Sequence, residues 1–313
     1  VNVMFYVSLA TAVVALLAGV LHGHPVTPID GEIFSLNLNK YGFLYSAAVL
    51  WLLGVEVPFN MGAEFSDHKR TGKAMFVWGS IALLVAYLMG IVGILFTTSP
   101  ANIDQSTGLV RAVATLSPTL GLIVTIGTCL AVFAQATSAM NAYSRLLFIG
   151  GIEKRLPKLL ARVSKEGKTP WPALLVQAIG ATVVILIFAT QTQLTVTYNL
   201  YLAALVAVWC ASLFYIYVGI IRARRLYRDL YEERGDQMWK IPGGMVGVWS
   251  VALFGAFFNG LAIYYVFAKP WVDGITPEHW RMWLGVTSVL IVLIGIAMFF
   301  VGKIYERIEE PSL

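Results

Sequence analysis

Trp51-Leu52-Leu53-Gly54-Val55-Glu56-Val57-Pro58-Phe59-Asn60 is an apolar run with a single carboxylic acid near its middle. Proline has no amide N–H, so Pro58 deprives the carbonyl four residues back of its helical donor, and its ring crowds that carbonyl. The carbonyl belongs to Gly54, the residue type best able to take an irregular backbone conformation. Together the two residues predict a helix broken halfway along. Its outer half ends in bare carbonyls near 52–55, and its inner half begins near Pro58 with free N–H groups and a positive dipole end. Among the 17 acidic residues of the chain, only Glu56 lies deep within such a run. A carboxylate at mid-membrane costs a helix roughly 2.5–3.5 kcal/mol on insertion scales. Such a group is accepted where it is neutralised, paired or wet, and a break at that depth is how many transporters hold a solute or an ion. A plain proline kink, with a protonated Glu56 bonded to a neighbouring helix, is the other reading of the same residues.

The flanking sequence is that of a membrane protein. Apolar residues fill 58% of the 313 positions and charged residues 12%, whereas soluble domains carry roughly 25% charged residues. A water-soluble enzyme is excluded on that ground. Apolar runs of roughly 20 residues, enough to cross a bilayer, fall at about 1–21, 43–65, 72–98, 119–149, 171–190, 196–221, 245–268 and 282–304. The fold class expected is therefore all-α, with about eight transmembrane helices in one transmembrane domain over residues 1–313. Trp51, Trp171, Trp209, Trp249, Trp271, Trp280 and Trp283 fall in or beside spans, and those near span ends fit interfacial aromatic belts. The segment GLVRAVATL (108–116) fits a short interfacial helix. The chain opens at Val1 inside an apolar run, which predicts further sequence upstream.

Basic residues set the orientation. Lys69, Arg70, Lys73, Lys154, Arg155, Lys158, Arg162, Lys165, Lys168, Arg222, Arg224, Arg225, Arg228, Arg234, Lys240, Lys303 and Arg307 occupy one set of connections. The alternate set holds Lys40, Arg111, Lys269 and Arg281. That asymmetry, 17 against 4, places the first set and both ends of the chain on the cytoplasmic side of a cell membrane, plasma or bacterial inner. Topology accounts for the net charge of +5, so nucleic acid is not an expected partner. The lipid bilayer is, and self-association into a homo-oligomer is left open.

Other polar signals are weaker. Cys129 and Cys210 lie far apart within apolar segments and read as small packing residues. His22 and His24 form an HGH pair that reads as an ordinary outer loop, with metal binding as the alternative. No histidine falls inside a span and no nucleophile–base or metal constellation is visible, so neither an enzyme nor a cofactor is expected. Gln135, Asn141, Gln177, Tyr198, Asn199, Tyr201 and Asn259 are polar groups within spans, most of them suited to interhelical hydrogen bonds.

Two segments carry a family resemblance. LGVEVPFNMGAEFSDHKRTGKAM (53–75) resembles helix six of the amino acid–polyamine–organocation transporters: an aromatic-rich run, Gly-x-Glu, then a Glu-bearing turn into a basic loop. SRLLFIGGIEKRLPKLLARVSKEGKTPWPAL (144–174) resembles their helix eight, its Leu-Pro loop and the Thr-Pro entry to helix nine. The resemblance implies a LeuT-like fold of two inverted five-helix repeats with one broken helix. On that reading this chain supplies helices five to twelve and the first four are missing from it.

The resemblance also implies site residues. The backbone of Leu53, Gly54 and Val55 would face substrate, and Glu56 and Pro58 would take part in gating at the break. Trp51 would be an outer lid or a lipid-facing tryptophan, and Asn199 would begin the helix beside the substrate pathway. The position of a lysine found in proton-coupled relatives holds Ser8, while Thr137 and Ser138 stand where sodium ligands occur. Coupling to H+ or Na+ therefore stays open, with exchange or proton coupling favoured. The turn after helix eight reads Gly150-Gly151-Ile152-Glu153-Lys154, a departure from the acidic-glycine turn of the family. The expected function is alternating-access transport, by a permease or exchanger, of an amino acid, polyamine or similar small amine. An ion importer or channel on the same scaffold, or a fragment unable to transport alone, are the alternatives.

Overall fold

The computed structural model describes residues 2–26, 37–54, 67–99, 107–191, 193–229 and 240–309. Among them the regular structure is helical: α1 (Asn2–His22), α2 (Leu38–Leu52), α3 (His68–Ala74), α4 (Ser80–Thr97), α5 (Gly108–Ala114), α6 (Pro118–Ile152), α7 (Trp171–Ala189), α8 (Leu194–Leu226), α9 (Gly244–Ala268) and α10 (Pro277–Glu309). A π-helical turn, Met75–Gly79, joins α3 to α4 without leaving helical backbone angles. Such one-turn widenings occur often at functional positions.

Among the described residues, six helical segments are long and apolar enough to cross a bilayer: Arg70–Thr97, Pro118–Ile152, Trp171–Ala189, Leu194–Leu226, Gly244–Ala268 and Pro277–Ile304. Of the first two expected spans, the first is the 21-residue α1, Asn2–His22, and the second contributes the shorter α2, Leu38–Leu52. For α2 the reason is its end at Leu52. Fifteen residues reach about 22 Å at about 1.5 Å each, short of a hydrocarbon core about 30 Å thick. Residues 55–66, the rest of that expected span, lie outside the described residues.

Contacts divide the chain into two units, Val1–Ser35 with Arg70–Ala142, and Leu36–Lys69 with Tyr143–Leu313. In the first unit α1 lies against α4 along a seam of small residues. Ala12, Ala15 and Ala18 are buried on α1, and Gly90 and Gly93 on α4. At Gly93 the backbones come so close that a Cβ would stand 2.4 Å from the carbonyl oxygen of Ala15. Lipid tails are as apolar as leucine, so helices in a bilayer gain cohesion from such close approach rather than from hiding large side chains. The helix α5, where the sequence fits an interfacial helix, turns Ala112 and Val113 onto Ala15. Hydroxyls are satisfied within their own helices: Thr11 bonds to the carbonyl of Val7 at 2.9 Å and Thr97 to that of Gly93 at 2.7 Å.

The second unit is centred on α8. Ala203, Ala204, Val206, Ala207 and Cys210 form a cluster with Ala262 and Val266 of α9 and Trp280 and Leu284 of α10, and Tyr45, Val49, Leu50 and Leu53 of the α2 segment pack against it. Trp280 is fully buried, and its indole Nε1 donates to the carbonyl of Val266 at 2.9 Å. Trp280 therefore packs between helices rather than facing outward. α10 begins at Pro277, before the expected 282, because proline suits a first helical turn and Thr276 precedes it. That early start turns Trp280 into the helix packing.

Outward positions on the long helices are themselves apolar, including Val132 and Phe133 on α6, Phe254 and Phe257 on α9, and Ile294 and Phe300 on α10. Surface of that kind and extent suits lipid and packing partners rather than water.

Candidate functional site

The end of α2 is built from a short list of residues. Leu38 to Leu52 forms regular helix, and the amide of Leu53 then reaches the carbonyl of Leu50 at 3.1 Å, a bond three residues back that tightens the last turn. Gly54 follows at φ +102, a conformation that a side chain disfavours and glycine takes freely. An apolar helix therefore ends at Leu52, six residues before Pro58 in the sequence. Helix ends expose carbonyls without intrahelical donors and concentrate the negative end of the dipole, an arrangement that receives a cationic N–H.

The expected site residues fall as follows. Trp51 is exposed on the last turn of α2. Leu53 packs against the cluster around α8, and Gly54 forms the turn. Val55, Glu56 and Pro58 lie outside the described residues. Asn199 is buried near the start of α8, where its Nδ2 donates to the carbonyl of Thr195 at 2.9 Å. Trp51, Leu53, Gly54 and Asn199 share the second unit. Ser8, on an exposed face of α1, and Thr137 and Ser138, on α6, belong to the first. The hydroxyl of Thr137 donates to the carbonyl of Phe133 at 2.9 Å. Its proton is thereby placed on the helix, leaving oxygen lone pairs as its outward-facing chemistry.

His22 and His24 have ring centres 5.3 Å apart, brought together by Gly23 at φ +86 just past α1. Among the described residues no three His, Cys, Asp or Glu side chains come together as a metal-binding group.

The loop after α6 is held by backbone. The amides of Arg155 and Leu156 both reach the carbonyl of Gly150 at 2.9 Å, and Lys154 takes φ 57 between them. A Cβ at Gly151 would stand 2.8 Å from the amide nitrogen of Ala161, and one at Gly302 of α10 would stand 2.9 Å from the carbonyl oxygen of Arg155. The unusual double glycine of this turn thus has a packing role. Glu153 pairs with Arg155 at 3.0 Å on the exposed surface, a contact worth little in water.

Sequence reasoning missed the contacts that hold α2. The indole Nε1 of Trp271 donates to Ser46 Oγ at 3.0 Å, and Tyr45 OH donates to the carbonyl of Phe258 at 3.1 Å. Ser46 and Tyr45 carry no motif, and their partners stand more than 200 residues along the chain. One signal was present: Thr276-Pro277-Glu278 reads as a helix start and brings the two tryptophans close to it.

A family model described as amino acid permease matches residues 1–296. Asc-type amino acid transporter 1 of Homo sapiens is 27% identical over 186 residues, which cover 59% of this chain and 29% of that protein. The matched stretch is thus less than a third of that relative's length. No solved structure matches the chain. With most of its length matched and six segments able to cross a bilayer, the chain is a multi-pass membrane protein of the amino acid permease family, among the amino acid–polyamine–organocation transporters.

Proposed function

We propose that this chain forms the substrate-holding part of a secondary transporter, a permease or exchanger that moves amino acids or related amines by alternating access. The observation that carries the reading is the stop of α2 at Leu52, with Gly54 at φ +102, inside an apolar run that continues to a buried-type acid and a proline. The carbonyl end of the outer half-helix suits a substrate ammonium. The N–H end of an inner half-helix beginning near Pro58 suits a carboxylate, the pairing that broken helices offer at mid-membrane. Glu56 would link the two halves to neighbouring helices during gating, with Trp51 near the outer rim and Asn199 beside the pathway.

In this proposal the chain contributes eight spans of a LeuT-like inverted-repeat fold, both of its ends are cytoplasmic, and the site is completed by helices upstream. Exchange or proton coupling is favoured over sodium, because the hydroxyl of Thr137 bonds back to its own helix at the carbonyl of Phe133.

Uptake of radiolabelled amino acids and amines by the complete protein in proteoliposomes tests the function. Saturable uptake, accelerated by unlabelled substrate inside for an exchanger, is the expected result. Conductance or ion uptake that ignores amino acids would replace this reading with an ion pathway.

A further inference from the structure

The connection between α9 and α10 closes over the middle of α2. α9 ends at Ala268, Lys269 is extended at φ −145 and ψ 138, and Pro270 cannot continue a helix. The chain then folds back so that Trp271 donates its indole N–H to Ser46 Oγ at 3.0 Å. Ser46 is fully buried and gives its own hydroxyl proton to the carbonyl of Phe43 at 2.7 Å. Its oxygen is therefore committed to accepting, and the indole N–H can only donate, so the roles at both ends of the bond are fixed.

Around this bond the fit is tight. The rings of Trp271 and Trp280 lie 6.4 Å apart, and Trp280 is itself tied to Val266. The ammonium of Lys269 lies 4.8 Å from the ring centre of Phe43. Tyr265 presses on Gly42 so closely that a Cβ there would meet its ring at 2.1 Å. These ties fall on residues 42–46, the middle of α2, and the same helix leads to Leu53 and Gly54 at its C-terminal end. An apolar contact can slide by small steps, whereas a part-buried N–H···O bond is directional and is either made or lost. The Trp271–Ser46 bond thus sets the height and rotation of α2 against α8, α9 and α10.

We infer that Trp271 and Ser46 are positioning residues for the substrate site at the end of α2, acting through the helix without touching substrate. The inference rests on the reading of the Gly54–Pro58 break as that site. Its test uses the complete protein with exposed Cys129 changed to Ser and buried Cys210 kept. A thiol introduced by Leu53→Cys reports the position of the helix end through its rate of labelling by a membrane-impermeant maleimide. Uptake is measured in parallel without that thiol. Trp271→Phe keeps a ring and removes the N–H, and Ser46→Ala removes the acceptor.

Each substitution is expected to change the labelling rate in the same sense and raise KM about five-fold, with kcat and surface amount little altered. The double variant is expected to go no further than either single one, because both remove one shared bond. Wild-type labelling and KM, or effects of the two substitutions that multiply, would overturn the inference. Altered labelling in a protein whose wild type takes up no amino acid would leave the anchor standing and remove the transport reading instead.

Discussion

The side-chain amide of Asn259 on α9 donates to the phenolic oxygen of Tyr217 on α8 and also to the carbonyl of Gly255 at 2.8 Å. Tyr217 in turn lies over Gly255, where a Cβ would meet its ring at 2.6 Å. One polar pair and one missing side chain therefore fix the crossing of two long apolar helices. Tyr217→Phe should lower stability by about 0.6 kcal/mol, the average for such bonds in a bilayer. Asn259→Ala should cost somewhat more, since it also loses the bond to Gly255, and the double variant should match it. Thermal unfolding in detergent, followed by tryptophan fluorescence, measures all three.

Gly93 and Gly180 make a matched pair of tests. A Cβ at Gly93 would strike the carbonyl oxygen of Ala15 at 2.4 Å, backbone that cannot turn aside, whereas one at Gly180 of α7 meets nothing within 4 Å. Gly93→Ala should force α1 from α4 and destabilise by about 1–3 kcal/mol. Gly180→Ala should be neutral or stabilising by up to about 1 kcal/mol. Fluorescence-detected size-exclusion after a heating series separates the outcomes.

At the break, Gly54→Ala places a Cβ on a residue at φ +102, a conformation costing about 1–3 kcal/mol for other residues. The helix end must then relax into another shape. Uptake by this variant should fall while the amount reaching the membrane stays near normal. Normal uptake would mean that the turn geometry is not needed by the substrate.

Glu56→Gln keeps the volume of the side chain and removes its charge. Uptake by the complete protein should be abolished or strongly slowed with insertion intact, as judged by surface biotinylation. Wild-type rates in this variant would end any mechanistic role for the carboxylate.

Orientation can be read directly. Lys165 and Lys168 lie in the loop after α6, in the most basic connection of the chain. A thiol introduced by Lys165→Cys, in a background lacking exposed Cys129, should react with an impermeant reagent only after the cell membrane is opened. Labelling of intact cells would invert the proposed topology.

The helical, membrane-crossing class was legible because hydrocarbon imposes its demand residue by residue: long apolar runs, few charges and internally paired backbone. The end of α2 near Gly54 was legible for a similar reason, since the positive φ that glycine takes freely is a matter of local backbone sterics. Other features could not be read that way. That Trp280 is buried between helices depends on where α10 begins and on which helices face it.

From the sequence by itself came the composition of the spans, their basic flanks and the place where one helix stops, because each depends on neighbours along the chain. Tertiary structure alone decided that Ser46 meets Trp271, that Ala15 lies against Gly93, and that Asn259 finds Tyr217. Those pairings join residues distant in sequence through shape and a few directional bonds, and neither shape nor direction is carried by apolar residues that all satisfy lipid equally well.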